Sequence, residues 1–350
     1  MAMMKKLPVF ISLLAAFVVS GCSGTADNSV KSSEDNVFSR DIFAMDTYMS
    51  LKAYGSNADY ALGLASERII ELEEMLSVTN EESDIYILDH AGGAPTELGS
   101  DTIMLIEKAI KTGSKTNGCL DITLYPIVRE WGFTTGEYKI PSDDTIAEIL
   151  DNVGYEKINV SGDTVTLPPD CEIDLGALAK GYTSDEIMRI LSENGVASAI
   201  VSLGGNVQAL GSKPDGSDWR VAVRDPFAPD TDMCIVEISD KAVITSGNYE
   251  RFFVGEDGNT YWHIIDPADG YPADNGLVSV TIIGGCGLDC DAYSTAMFVA
   301  GTEKAIEFYK SVHEFEMILV TDDEKIYYSE GLEGSFTNIS SMSAEVITLD

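Results

Sequence analysis

The chain has 350 residues, of which 45% are hydrophobic and 23% charged, which is enough apolar material for a sizeable core. Its 58 acidic and 22 basic side chains give a formal net charge of -36. Such a surface repels nucleic acid and anionic lipid, so the composition excludes binding to either through a basic patch. A site for a polyanion would need cations gathered locally or a bound metal.

The N-terminus is typical of a secretory targeting segment. Two lysines precede an apolar run over residues 7–19, which is too short to span a bilayer, and a Ser-Gly-Cys sequence ends at Cys22. This arrangement resembles a bacterial lipobox. It implies that a signal peptide, residues 1–21, is removed and that lipidated Cys22 anchors the protein to the membrane outside the cytoplasm. The alternative is an ordinary signal peptide with an incidental cysteine. Residues 22–39 are predicted to be a flexible tether.

The first elements after the tether follow from hydrophobic periodicity. Apolar residues alternate with their neighbours over residues 45–53, a pattern that predicts a half-buried strand. Helical spacing of apolar residues predicts helices over residues 62–76, 100–116 and 142–150.

Strands predominate in the rest of the chain. Turn signals predict three hairpins, within residues 157–167, 252–265 and 315–328. Three further segments are predicted as strands, at residues 198–210, 219–223 and 277–283. A long helix is predicted from Ala177 to Asn194, where Gly195 ends it.

The order of these elements indicates the fold class. Strands and helices do not alternate as a nucleotide-binding parallel sheet requires, and no GxGxxG motif follows a strand. We therefore predict an α+β fold, with mixed or antiparallel sheets packed against helices. One domain is expected over residues 40–335, followed by a C-terminal tail at residues 336–350.

The segment DAYSTAMFVAG, beginning at Asp291, sets a carboxylate and a hydroxyl four residues apart in an apolar helix. Asp291 and Thr295 therefore share one helix face, one turn apart. Oxygen ligands of this kind suit a hard cation such as Mg²⁺. The alternative is structural, with the Asp capping the helix and the Thr bonding to a backbone carbonyl.

The segment IDLGALAKGY, residues 173–182, passes from a strand end through a glycine into a helix. A helix N-terminus with a nearby lysine suits phosphate oxygens, so Asp174 and Lys180 are candidate binding residues. Their alternative roles are a helix cap and a solvated lysine.

Two other segments suit ring stacking and proton transfer. Trp131, Gly132 and Phe133 offer two aromatic faces with a glycine between them, although such residues more often belong to a core. His263 ends a predicted strand before a tight turn, and an imidazole with an ordinary pKa is suited to moving a proton near neutral pH. Its alternative is a structural hydrogen bond to the loop.

These segments occur together with SLGGN (202–206), KPDGSDWRVAVRDP (213–226), TSGNYERFF (245–253) and HIIDPADGYP (263–272). In this order and spacing they resemble the ApbE family of FAD:protein FMN transferases. The resemblance covers residues 43–331, and each motif is several residues long.

The resemblance implies a role for individual residues. It implies that Mg²⁺ is held by Asp291, Thr295 and the backbone carbonyl of Ala177, and that Asp174 and Lys180 contact FAD. It also implies that His263 belongs to the site as a base or a positioning group. The residues that would line the flavin pocket are Met45, on the first predicted strand, with Trp131, Gly132, Phe133 and Ile265.

The implied activity is the transfer of FMN from FAD to a Ser or Thr hydroxyl of an acceptor protein, with a phosphoester formed and AMP released. Mg²⁺ would be the cofactor and FAD the substrate. The partners would be an extracytoplasmic acceptor protein and, through the lipid on Cys22, the membrane. Two alternatives stay open: a pyrophosphatase that uses water in the same site, and a lipoprotein that binds FAD without chemistry.

Overall fold

The structure of the protein is a computed structural model and describes residues 36–349. The predicted signal peptide, Cys22 and most of the predicted tether lie outside the described residues. Within residues 36–349, no helix combines the length and the apolar character that a membrane span requires.

A nine-stranded sheet forms the centre of the described chain. Its strands, in spatial order, are β1 (Val37–Ala44), β2 (Thr47–Tyr54), β6 (Ser198–Leu203), β7 (Asn206–Leu210), β10 (Ala242–Gly247), β13 (Leu277–Gly284), β14 (Glu316–Thr321), β15 (Lys325–Ser329) and β17 (Ser343–Ile347). Neighbouring strands pair antiparallel except β15 and β17, which are parallel. Every residue of β13 is buried, because both faces of this central strand are covered.

Three smaller sheets accompany the main sheet in residues 36–349. One contains β16 (Phe336–Asn338), β9 (Asp232–Ile238) and β8 (Trp219–Arg224), and another contains β3 (Thr96–Glu97), β5 (Thr164–Thr166) and β4 (Asn159–Ser161). The third is a two-stranded ribbon of β11 (Phe252–Val254) and β12 (Thr260–Trp262).

The described helices are α1 (Ala58–Leu76), α2 (Asp84–Asp89), α3 (Ser100–Lys115), α4 (Tyr125–Glu130), α5 (Asp143–Leu150), α6 (Gly176–Glu193), α7 (Gly287–Ala300) and α8 (Thr302–Val312). Side chains alternate along the strands, so the main sheet has two packed faces. Ile244 and Ile282 share a core with α7, whereas Val243 and Ile283 share one with β8 and β9. Helices therefore cover one face and a small sheet covers the other.

The α+β class is confirmed, and so are the three hairpins and the long helix, which runs from Gly176 to Glu193. These elements depend on local signals, namely apolar periodicity bounded by turn residues. The predicted strand 198–210 is instead two strands, because Gly204 and Gly205 adopt positive φ and turn the chain into a β6–β7 hairpin.

Strands lie beyond both predicted limits of the domain. Residues 37–39, expected in the tether, begin β1, and the expected tail at residues 336–350 contains β16 and β17. Four of the five residues of β17 are exposed, so the strand has no alternating pattern. Met45 also lies outside a strand: with Asp46 it forms the β1–β2 turn, at φ values of 50° and 57°.

Candidate active site

Two glycines allow α6 and α7 to cross in close contact. A methyl group on Gly181 would lie 2.6 Å from the Cβ of Asp291 and closer still to the carbonyl oxygen of Gly287. A methyl group on Gly287 would lie 2.6 Å from the Gly181 carbonyl oxygen and 2.5 Å from the Ser184 hydroxyl. The absence of a side chain at both positions therefore brings Asp291 against the backbone of α6.

The Asp291 carboxylate is only 4% exposed and is held from two sides. The backbone N–H of Gly181 donates to Oδ2 at 2.8 Å, and the side-chain amide of Asn206 donates to Oδ1 at 3.0 Å. Burial raises the pKa of Asp291, while the charge of Lys180 and these two hydrogen bonds oppose the shift. Each oxygen keeps a second lone pair, so the carboxylate is oriented but can still accept.

Two further oxygen groups that suit a hard cation belong to the same two helices, α6 and α7. In helical geometry the Ala177 carbonyl points towards the N–H of Gly181, the group that Asp291 contacts. Thr295 follows one turn later on α7, with its Oγ1 3.4 Å from the Oγ of Ser246. One carboxylate, one hydroxyl and one carbonyl fit Mg²⁺, which retains water and phosphate as its other ligands. In residues 36–349, no group of three or more His, Cys, Asp and Glu side chains is arranged to hold a metal.

Positive charge gathers at the same place. Burial raises the pKa of both Asp174 and Asp291, and Lys180 lowers the pKa of each in opposition to it. Lys180 also lowers the pKa of His263, where its charge adds to the effect of burial. Arg251 likewise lowers the pKa of both Asp174 and His263. Two cations near a helix N-terminus provide the local field that a polyanion needs on so acidic a protein.

Asp174 and Lys180 also make local contacts of the structural kind that the sequence analysis gave as their alternative roles. Asp174 accepts a hydrogen bond from the N–H of Gly176 at 2.8 Å, and so caps the turn into α6. The Nζ of Lys180 lies 3.4 Å from the Gly176 carbonyl oxygen. Both side chains therefore lie at the N-terminus of α6.

His263 follows β12 and is partly buried. Its Nδ1 lies 3.3 Å from the carbonyl oxygen of Arg251. Because a carbonyl can only accept, the neutral ring carries its hydrogen on Nδ1 and leaves Nε2 as an acceptor. Burial lowers the pKa of His263 to about 4, and the charges of Arg251 and Lys180 add to the shift. The imidazole is therefore neutral at physiological pH, and Nε2 is the ring nitrogen that can accept a proton.

The Trp131 segment belongs to what we call the aromatic cluster. Its members are Trp131, Phe133, Tyr138, Phe253, Tyr261 and Tyr271. The Trp131 indole is fully buried and donates its N–H to the Gly270 carbonyl oxygen at 2.9 Å. Gly132 has a φ of 87°, and a side chain there would collide with the Glu137 carbonyl oxygen.

The residues expected to line the flavin pocket lie in different environments. Trp131 and Ile265 are core residues, with 0% and 3% exposure. Phe133 contacts the ring of His263 edge-on, at 6.3 Å between ring centroids, and so joins the aromatic cluster to the site. Met45 is partly buried beside α6, with its Sδ 3.7 Å from the Thr183 hydroxyl.

Sequence reasoning missed several residues that organise the site. Asn206 and Arg251 stand in the quoted segments SLGGN and TSGNYERFF, which was the available signal, but no role was assigned to them. Asp185 is also unexpected: its carboxylate accepts the N–H groups of Gly287 and Leu288 at 2.7 and 2.9 Å. The start of α7 is therefore fixed by a side chain of α6.

Comparison with known proteins identifies the family. Residues 45–319 match the ApbE family. The chain is 30% identical over 317 residues to the FAD:protein FMN transferase of Treponema pallidum, covering 84% of this chain and 87% of that protein. It is 31% identical over 316 residues to an FAD:protein FMN transferase of Klebsiella pneumoniae, covering 88% of this chain and 97% of that protein.

Two solved structures have the same architecture. The ApbE protein of Thermotoga maritima aligns with a TM-score of 0.81 at 29% identity, covering 86% of this chain and 99% of that one. The flavinyl transferase ApbE of Pseudomonas stutzeri aligns with a TM-score of 0.73 at 27% identity, covering 82% and 91%. The match over most of the chain, in sequence and in fold, shows that this protein belongs to the ApbE family.

Proposed function

We propose that this chain is an FAD:protein FMN transferase that attaches FMN to a Ser or Thr hydroxyl of an acceptor protein and releases AMP. The observation that carries the proposal is the Asp291 carboxylate, which is oriented by Gly181 and Asn206 beside Lys180. Family membership supports the same reaction, because relatives that match most of the chain are named for it.

The residues have separate tasks in this proposal. Asp291, Thr295 and the Ala177 carbonyl would hold Mg²⁺, which when bound would neutralise charge on the pyrophosphate. Lys180 and Arg251 would orient the phosphates. Positioning and charge stabilisation would supply most of the catalysis.

The bond changes balance without a further reactant. The acceptor oxygen forms a bond to the FMN phosphorus, and the bond from that phosphorus to the bridging oxygen of the pyrophosphate breaks. AMP leaves with the bridging oxygen. The hydroxyl proton passes to a base, for which His263 Nε2 is suited because the Arg251 carbonyl holds the ring hydrogen on Nδ1.

Water in place of the acceptor would make the same site a pyrophosphatase. The test is to incubate the enzyme with FAD and Mg²⁺, with and without candidate acceptor proteins, and to follow AMP by chromatography and acceptor mass by mass spectrometry. We expect slow AMP release from FAD alone, faster release with an acceptor, and FMN covalently bound to it. Equal AMP release without acceptor, with all FMN free, would replace transfer by hydrolysis.

The proposal includes an extracytoplasmic, membrane-anchored location, based on the sequence around Cys22. In Cys22→Ser the protein should leave the detergent phase in a partitioning assay while its activity is retained. Partitioning identical to that of the unaltered protein would refute the lipid anchor.

A further inference from the structure

The β11–β12 ribbon has two chemically different faces. Phe252 pairs with Trp262, and the next residues outward, Arg251 and His263, are joined by a backbone hydrogen bond of 3.1 Å. Because side chains alternate along each strand, Phe252 and Trp262 lie on one face, and Arg251 and His263 lie on the other. One short ribbon therefore separates the candidate catalytic histidine from an aromatic surface.

That aromatic surface lines a groove of about 300 Å³, which we call the ribbon groove. Its walls include Phe227, Asn248, Phe252, Thr260, Trp262 and Val278. Phe227 and Phe252 are 45% and 47% exposed, and Val254, on the same ribbon face as Phe252, is 63% exposed. Large apolar side chains gathered at an open groove are typical of a binding surface.

The charges of the two faces indicate different ligands. No residue that lines the ribbon groove carries a charge. Arg251 lies on the other face of the ribbon, and its charge acts on His263 together with that of Lys180. A dinucleotide with two phosphates fits the cationic side, whereas an uncharged polypeptide segment fits the groove.

The groove also offers hydrogen bonds suited to a polypeptide. Within the described chain β11 and β12 form a sheet of two strands only, so each has an outer edge outside any sheet pairing. An added strand of a bound polypeptide would use this ribbon edge.

We infer that the ribbon groove binds the acceptor protein, as an extended, uncharged segment that carries the reactive Ser or Thr. The inference rests on the proposed transferase function. The bound segment inserts an apolar side chain between Phe227 and Phe252 and passes the end of the ribbon, where its hydroxyl meets the FMN phosphate beside His263. Docking of this kind gives the hydroxyl its effective concentration over water.

The test uses Phe227→Ala with Phe252→Ala as a double variant, since both side chains are exposed and contribute little to the core. Tyr60→Ala is the matched control, because Tyr60 is an aromatic residue 67% exposed on α1. The probe is a library of synthetic dodecapeptides with a central Thr and uncharged flanks, and the peptide labelled best with fluorescent FMN is used for kinetics.

We expect the double variant to raise KM for the peptide by about tenfold or more, the loss of roughly 1.4 kcal/mol of binding. The dissociation constant of FAD, measured by flavin fluorescence, should change less than twofold in the double variant, and the control should match the unaltered enzyme in both.

Three results would overturn the inference, and they are distinguishable. An unchanged peptide KM in the double variant would refute the groove as the acceptor site and leave the proposed transferase function intact. A weakened FAD affinity with unchanged peptide KM assigns the groove to the dinucleotide. If the unaltered enzyme labels no peptide and no candidate acceptor protein, the proposed function fails and the inference fails with it.

Discussion

The crossing of α6 and α7 and the aromatic cluster both belong to the surroundings of the candidate site, yet they are built in opposite ways. The crossing depends on missing side chains, at Gly181 and Gly287, and on hydrogen bonds to a buried carboxylate. The aromatic cluster depends on ring area, and Phe133 is its contact with His263. We therefore expect one added methyl group to force the first region apart, whereas a change of ring in the second should cost stability but leave FAD affinity nearly unchanged.

The largest effect is expected for Asp291→Asn, which removes the charge but keeps the shape at the crossing. Transfer activity should fall by about 10²-fold or more, because the cation loses its carboxylate ligand. FMN transfer and binding of Mn²⁺ by electron paramagnetic resonance would measure the loss.

Asp289→Asn is the control for this change, since Asp289 lies on the same helix and pairs with Lys108 at the surface. Activity of Asp291→Asn equal to that of the control, or activity undiminished in EDTA, would contradict the metal site.

Gly181→Ala tests the close approach directly. The new methyl group should force the helices apart and lower the free energy of unfolding by about 1–3 kcal/mol. Gly63→Ala on α1 is the matched control: a methyl group there meets nothing within 4 Å, and it should raise stability by about 0.5–1 kcal/mol. Urea unfolding would compare them, and equal behaviour of the two variants would refute the tight crossing.

The pH dependence of kcat/KM separates the crossing from His263. The pKa of His263 is lowered to about 4, so its base form persists well below its ordinary titration range. The pKa of Asp291 is raised by burial, so protons compete with a cation for this carboxylate at a higher pH than they would at an exposed aspartate. We expect activity to fall with acid, and we expect higher Mg²⁺ concentrations to move the fall to lower pH. A fall near the ordinary pKa of histidine that ignores Mg²⁺ would contradict this assignment.

The smallest effect on activity is expected for Trp131→Phe. The change removes the hydrogen bond to Gly270 and should cost about 1–3 kcal/mol of stability, with FAD affinity nearly unchanged because the indole is fully buried. Trp219→Phe is matched, since its N–H donates to the Gly211 carbonyl oxygen at 3.0 Å. If Trp131→Phe alone weakens FAD binding, the indole contributes to the flavin pocket after all.

Local sequence patterns were sufficient to predict much of the fold. The α7 segment, for example, was readable because it is apolar on all sides, and the structure buries nearly all of it. The turn at Met45 was not readable, because the alternation of β2 continues into it and only the left-handed backbone of Met45 and Asp46 ends the strand. Strand β17 has no alternating pattern, because four of its five residues are exposed. The strand is defined by its backbone pairing with β15, which its own side chains do not indicate.

The candidate site was predictable as a set of residue types but not as an arrangement. Asp291 and Thr295 share a helix face by spacing alone. The contact between Asn206 and Asp291 spans 85 residues of sequence, and no local periodicity indicates it. The burial of Trp131 was not predictable either, because the same aromatic residues can belong to a core or line a pocket.

The main sheet has β1 at one edge and β17 at the other, the first and last strands of the described chain. During synthesis residues 343–347 therefore leave the ribosome after every other described strand. Until they do, β15 presents an unpaired edge, which is a template for association with other chains. A chain shortened to residue 335 would keep that open edge permanently, so aggregation rather than loss of catalysis is the expected consequence of such a truncation.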